Sequence, residues 1–321
     1  MTRAPAASVD VAGDVARSSE AFATAVVVAF HRTASLRALL DRLVAPDLAI
    51  VVVNVEADRA VRAVAEACGA RVVDLLDNPG YAAAVNRGVG VAATNVVIFL
   101  NDDARMELDA VRRLAAVIAT GVVDVAVPRV VDANGTLERT IAAVPTPLSL
   151  AREWLLLPDR PVDALGTRVA VEKWRAPSRP ERIDAAAAIV VATTRALVGA
   201  VPVPEDYFLY WEESEWFWRL RERGTVVQYR PEIECMHVGG RDDVRPEKSR
   251  LLARNAVRCV RRTQGRSKAA AAYVVVVAWN ARLVAVDVLR AACRPGSARR
   301  ERLAARWAGL GAACSSWREI R

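Results

Sequence analysis

Short apolar runs alternate with amphipathic stretches along the first 130 residues. Thr24–Phe30, Ala49–Val53, Arg71–Leu75 and Val96–Leu100 are dominated by Val, Ile, Leu and Ala, which predicts buried strands. Between them, apolar residues spaced three and four apart predict helices over Leu36–Leu43, Asp58–Cys68 and Ala82–Val91. Thr33 or Ser35 is placed to cap the first of these, and Gly69 to end the second. Asn78-Pro79-Gly80 reads as a turn. A further helix over Leu108–Ile118 and a strand over Val122–Pro128 continue the series. Alternation of this kind predicts an α/β fold, a mostly parallel central sheet flanked by helices.

The second half is less regular. Six prolines between Val144 and Arg182 predict a long irregular insertion with one short helix near Leu148–Leu156, a length that suits a lid or recognition segment. Ala185–Ala192 reads as a strand, although its alanines also permit a helix. Glu215–Arg223 predicts a short helix ending at Gly224, and Val226–Tyr229 a strand. The chain beyond Pro246 reads as helical. Within it, Ala269–Trp279 is an apolar run broken by Asn280 and Arg282. The run is shorter than the roughly 20 residues that span a bilayer; it suits core packing or a helix lying in a membrane interface. The expected organisation is a disordered leader over 1–22, one domain over 23–245 divided near residue 130, and a basic helical region over 246–321.

Composition narrows the class. With 321 residues and 53% hydrophobic content, the chain builds a sizeable core. Asp10, Asp14 and Glu20 in the Ala-rich leader exclude a secretory signal, so Asn134-Gly135-Thr136 reads as a turn, not a glycosylation acceptor. Cys68, Cys235, Cys259, Cys293 and Cys314 lack paired spacing, against a disulfide framework or zinc ribbon. Cys235 and His237 have no second pair to complete a zinc site. Net charge is +8, yet residues 241–321 hold 19 Lys+Arg and 6 Asp+Glu, a local +13. That tail predicts an anionic partner, a membrane surface or a diphosphate-linked substrate. Nucleic acid is set aside, because the basic residues are not interleaved with aromatics.

The candidate chemistry starts at Val96-Val97-Ile98-Phe99-Leu100-Asn101-Asp102-Asp103. Carboxylates that end a buried strand lie where open α/β sheets bind ligands, and they suit a hard divalent cation. Three other segments belong with it: Asn78-Pro79-Gly80-Tyr81 with Asn86-Arg87-Gly88; the aromatic and acidic run Asp206–Trp216; and Met236-His237-Val238-Gly239-Gly240. The turn after the first strand, Ala29-Phe30-His31-Arg32-Thr33, has no glycine, which excludes a dinucleotide fingerprint. No P-loop is present.

Taken together, in this order and spacing, these segments resemble the inverting glycosyltransferases of family 2, which have the GT-A fold, and among them the rhamnosyltransferase-like branch. The resemblance runs from about Thr24 to Arg262. It implies that the domain's first half binds a nucleotide-sugar donor and its second half an acceptor, with Mg²⁺ or Mn²⁺ as cofactor. Asp103 and His237 match the metal ligands, and Asn101 stands where a first Asp is usual, with Asp102 beside it. Glu213 matches the catalytic base, with Glu212 as runner-up. Phe30, Arg32, Asn54, Asn78, Gly80, Asn86, Arg87 and Arg254 fall in donor-binding positions, Asn54 where an Asp usually contacts the base. Trp211, Glu215 and Trp216 fall on the acceptor side. The implied donor is dTDP-rhamnose or a UDP-sugar, and the implied acceptor a lipid-diphosphate-linked glycan or polysaccharide of the cell surface. The setting implied is the cytoplasmic membrane face, with self-association left open. Because Asn54 and Asn101 replace acids, the alternative is a degenerate domain that binds nucleotide sugars or serves as a scaffold.

Overall fold

The computed structural model describes residues 21–154, 176–239, 245–293 and 297–320. The expected leader lies almost entirely outside them, as do most of the proline-rich insertion and Gly240. In chain order the first elements are β1 (Ala23–Ala29), α1 (Thr33–Leu43), β2 (Leu48–Val55), α2 (Arg59–Ala67), β3 (Arg71–Leu75), α3 (Tyr81–Gly90) and β4 (Val96–Asn101). There follow β5 (Ala104–Arg105), α4 (Leu108–Ala119), β6 (Val125–Val131), β7 (Ile141–Ala142) and α5 (Pro147–Trp154). Then come β8 (Glu181–Arg182), β9 (Ala185–Ala186), β10 (Val190–Thr194), α6 (Arg195–Ala200), α7 (Glu212–Glu222) and β11 (Val227–His237). Three long helices end the chain: α8 (Pro246–Gln264), α9 (Arg266–Cys293) and α10 (Ser297–Ser315), followed by a 3₁₀ turn at Ser316–Glu319.

The central sheet runs β3-β2-β1-β4-β10-β6-β11-β5, with β8 also paired to β11. It is parallel from β3 to β4. Beyond β4 it is mixed: β10 is antiparallel to β4 and β6, whereas β11 is parallel to β6. The apolar runs of β1, β2 and β4 are buried because helices cover both faces, whereas β3, expected to be buried, is an edge strand that is only half-buried, with Arg71 exposed. Leu36, Leu39, Leu40 and Leu43 of α1 pack on one face with Val111 and Leu114 of α4. On the other face lie Ala82, Val85 and Val89 of α3 with Trp216, Phe217 and Leu220 of α7.

Several expected elements differ in detail. α1 begins after Arg32 with no side-chain cap, so neither Thr33 nor Ser35 caps it. Ala185–Ala192 is not one strand: Ala185–Ala186 pairs with β7 in a separate two-stranded sheet, and the central strand starts at Val190. Paired on both sides, that strand is built of Val and Thr with Ala192 as its one alanine, residues that suit a strand. β11 continues well past Tyr229, crossing Pro231 through a register shift between Arg230 and Glu234; a bulge tolerates the missing N–H. Asn134-Gly135-Thr136 is a turn, with the Asp132 carboxylate accepting from the N–H groups of Asn134 and Thr136. The apolar run Ala269–Trp279 does not delimit a helix. It is part of α9, whose 28 residues make it long and apolar enough to cross a membrane by length and composition. α9 packs against α8 and α10 through Ala269 and Val276.

Close approach of α3 to the sheet depends on Gly88. A Cβ there would sit 2.4 Å from Val26 Cγ1 and 2.7 Å from Val53 Cγ2, both on central strands. Gly88→Ala is expected to destabilise by about 1–3 kcal/mol through overpacking, exceeding the roughly 1 kcal/mol that Ala contributes in a helix. Gly90, with nothing within 4 Å of its would-be Cβ, is the control. Gly90→Ala should leave the urea midpoint unchanged or raise it, and a similar fall for both variants would refute the packing argument.

Candidate functional site

Two strand ends and one hairpin assemble the first half of the site. β4 delivers Asn101, Asp102 and Asp103 at its carboxyl end. β11 runs beside β5, pairing His237 with Ala104, and the Val238 N–H donates to the Asp103 carbonyl at 3.0 Å. His237 Nε2 therefore lies 3.3 Å from Asp103 Oδ1. Behind the imidazole, Nδ1 is 3.3 Å from a Glu138 oxygen. Glu138 arrives by way of the Asp132–Thr136 turn, and its N–H bonds Val130 at 2.8 Å. A carboxylate behind a histidine fixes the ring and leaves the other nitrogen for a ligand. Arg32 Nη1 bonds the other Asp103 oxygen, Oδ2. Burial works against the charge on Asp103, but His237 and Arg32 outweigh it and hold the carboxyl below its ordinary range. Burial lowers His237, but its bonds and ion pairs to Asp103 and Glu138 outweigh that and raise it.

These residues fit a divalent cation. Among the described residues no three His, Cys, Asp or Glu side chains form a closed cage, so protein would supply part of a shell only. Asn101 Oδ1 is nevertheless buried without a hydrogen-bond partner, a costly arrangement unless something else takes its lone pairs, and Asp103 Oδ1 faces His237 Nε2 at 3.3 Å. Gly239 keeps the space open: a Cβ there would sit 2.7 Å from both Asp103 Oδ2 and His237 Nε2. Carboxylate, amide oxygen and imidazole together suit Mg²⁺ or Mn²⁺.

The acidic run supplies the second half. Tyr210 and Trp211 are both left-handed, at φ 68° and 79°, costly for bulky side chains. Asn255 of α8, fully buried, holds this turn by donating Nδ2 to the carbonyls of Leu209 (3.0 Å) and Tyr210 (3.2 Å). The turn starts α7 with Glu212, Glu213 and Glu215 in its first turn, where carboxylates meet the positive helix end. Glu213 is half-buried and opens onto a cavity, and burial raises its carboxyl. Glu212 points inward with Oε2 unpaired; burial, then the Glu213 charge, pushes it well up. Tyr81 links the two halves. Its hydroxyl donates to Ala188 O at 3.0 Å, and its titration is suppressed by burial and by Glu212, Glu213, Asp103 and Asp102 together. Tyr81 thus feels charge from Glu213 on one side and from Asp103, the partner of His237, on the other.

Other expected site residues are placed differently. Asn54 is fully buried and its amide is consumed, donating to Asp74 Oδ1 and Asp58 O and accepting from Asp58 N–H; it positions Asp74 and has no group left for a base. Asn86 is likewise occupied, bonded to Val203 and Glu205. Glu215 and Trp216 do not reach an acceptor. Glu215 is buried among Tyr207 (2.6 Å), Arg219 (2.6 Å) and Arg262 (2.7 Å). Trp216 is fully buried beside Phe99, its Nε1 donating to Val201 O. Arg87 and Arg254 are exposed; in the Arg254-Asn255 pair the buried working residue is Asn255. Phe30 is exposed and its N–H donates to Asp102. Asn78 accepts from the Gly80 N–H, shaping its turn. Glu138 escaped the sequence reading, whereas Tyr81 and Asn255 stood only as members of Asn78-Pro79-Gly80-Tyr81 and Arg254-Asn255, with no role of their own. For Glu138 only the neighbouring turn stood as a signal.

Asp102 carries a pH signature. Burial, opposed by the Phe30 N–H and reinforced by the Asp103 charge, pushes its carboxyl up to about 6. A folded-state value above the unfolded one favours the protonated form, so the stability it contributes is present below about pH 4 and lost as pH rises through about 6. Without added metal, Asp102→Asn is expected to raise Tm at pH 7.5 by a few degrees, on the order of 1–2 kcal/mol. The gain should vanish near pH 4. An equal shift at both pH values would place the effect elsewhere.

Residues 24–167 match the family model described as glycosyl transferase family 2. None of the curated proteins matches the sequence. Among solved structures, the chain is similar to the mannosyltransferase PcManGT from Pyrobaculum calidifontis, in complex with GDP-Man and Mn²⁺. That match has 13% identity and a TM-score of 0.52, covering 93% of this chain and 88% of that one. It is also similar to GalNAc-T7 with UDP, GalNAc and Mn²⁺, at 17% identity and a TM-score of 0.52, covering 74% of this chain and 47% of that one. A mycobacterial protein shares 16% identity at a TM-score of 0.53, covering 81% of this chain and 80% of that one. The described structure has the GT-A fold, and the match to the family model covers residues 24–167, less than half of the chain.

Proposed function

We propose that this protein is a metal-dependent inverting glycosyltransferase that moves a sugar from dTDP-rhamnose or a UDP-sugar to a lipid-linked or polysaccharide acceptor at the cytoplasmic membrane face. The observation that carries the reading is the pairing of Asp103 with His237, backed by Glu138, beside the space that Gly239 leaves open, with buried Tyr81 close enough to feel both Asp103 and Glu213. Mn²⁺ in the two named complexes supports a divalent cation here. When bound, that cation neutralises charge growing on the departing diphosphate. Asp103 and His237 would hold it, with Glu138 fixing the His237 ring.

Inversion needs a single displacement. The raised carboxyl of Glu213 accepts the proton of the acceptor hydroxyl. That oxygen bonds the anomeric carbon as the bond to the diphosphate breaks, and the nucleoside diphosphate leaves. Burial and the Glu213 charge push the Glu212 carboxyl well up, so Glu212 competes with Glu213 to hold a proton. Arg32, ion-paired to Asp103, adds a cation to that side of the site. The basic tail supports docking at an anionic surface.

Glu213→Gln is expected to lower transfer by roughly 10²–10⁴ while nucleotide binding, read by thermal shift with Mn²⁺, persists. Loss of both together would make Glu213 a folding residue. Asp103→Ala and Gly239→Ala should each weaken metal-dependent binding of the nucleotide by at least about tenfold, the second because its methyl enters the space between Asp103 and His237. A metal titration unchanged in both variants would remove Asp103 from the site. Binding of a nucleotide-sugar panel without turnover under Mg²⁺ or Mn²⁺ would favour the degenerate binding domain instead.

A further inference from the structure

The cavity onto which Glu213 opens is not closed by the α/β domain alone. About 390 Å³ in volume, it has Glu213 and Trp211 on one side and Leu252, Trp279, Leu283 and Arg306 of the three C-terminal helices on the other. Such a volume holds a small organic ligand. Its wall is mainly apolar, and its charged groups are Glu213 and Arg306, the latter held by Asp287 through Nε at 3.1 Å. The polar groups of the helical side are Ser249, Asn280 and Arg306, of which Asn280 Nδ2 is spent on Val276 O and Arg306 Nε on Asp287, whereas an alkyl chain would find Trp279, Leu252 and Leu283 there and the Trp211 indole opposite.

We propose that this cavity binds the apolar chain of a glycolipid acceptor, holding it so that the attached sugar meets Glu213. The proposal rests on the glycosyltransferase reading above and narrows its acceptor to one with a hydrocarbon chain close to the reacting sugar. Three further observations argue for a lipid occupant over an aromatic metabolite. α9, which supplies Trp279 and Leu283, is apolar well beyond what its packing needs: 28% of its most apolar stretch is buried. Val274 and Leu289 on the same helix, with Trp307 on α10, are exposed. Lastly, the surrounding region from residue 241 onward carries 19 basic against 6 acidic residues, a charge complementary to an anionic lipid surface from which such an acceptor would be drawn. The cavity wall is anchored to the catalytic turn itself, because Trp211 Nε1 donates to Leu252 O at 3.1 Å.

The test uses the full chain and n-octyl β-D-glucopyranoside below its micelle concentration, with methyl β-D-glucopyranoside as control. Tryptophan fluorescence reports binding, since Trp211 and Trp279 line the cavity. The octyl glycoside should give a saturable change and the methyl glycoside none. Leu283→Arg and Leu252→Arg, both at partly exposed positions, should each weaken the octyl response at least tenfold. Melting curves and UDP binding with Mn²⁺, taken on the same preparations, should match the wild type. An octyl response that is absent, is equalled by methyl glycoside, or survives unchanged in both folded variants overturns the proposal. Failure of UDP binding in the wild type would instead count against the donor reading, leaving the cavity result to be judged by the glycoside arms alone.

Discussion

The placement of the Glu212–Glu213 turn depends on one backbone abutment. Gly80 lies so close to Phe208 that a Cβ would sit 2.3 Å from the Phe208 carbonyl oxygen. Tyr81 N–H donates to that same oxygen at 3.2 Å. Only glycine permits this approach, and its φ of 93° turns the chain into α3. The contact joins the parallel half of the sheet to the segment that starts α7. Without it, Glu212 and Glu213 would have no fixed distance from the carboxylates at the end of β4.

The second constraint is polar. Tyr210 and Trp211 occupy backbone conformations unfavourable to bulky residues, and they persist because Asn255 and Leu252 of α8 hold them from behind. Glu215 adds a buried cluster with Tyr207, Arg219 and Arg262. A buried charge of this kind is tolerable only when its lone pairs are satisfied, as they are here. The C-terminal helices are therefore structural partners of the catalytic turn. They brace it and wall the cavity in front of it.

Charge is used differently in the two halves. At Asp103, opposite charges gather: Arg32, His237 and, behind it, Glu138. At Glu212 and Glu213, like charges are placed side by side in a dry setting, which favours a proton on one of them. A carboxylate kept ionised and a carboxyl kept ready to take a proton thus arise from the same residue chemistry through opposite surroundings.

The strands and helices up to α4 were legible from hydrophobic spacing because each buries a continuous apolar face, and local pattern reports burial directly. Asp103, Glu213 and His237 were legible as candidates because their segments carry recognisable residue types in order. What the sequence could not disclose is where a side chain spends its hydrogen bonds. Asn54 and Asn86 look free on paper, yet in the fold each is used up by partners on other segments. The split of Ala185–Thr194 between two sheets, the extension of β11 and the joining of an apolar run into α9 were also decided by tertiary pairing. Glu138, Tyr81 and Asn255 act through neighbours about 50 to 130 residues away along the chain. Local pattern determines which segments form strands and helices; long-range packing alone determines which polar atoms remain available for chemistry.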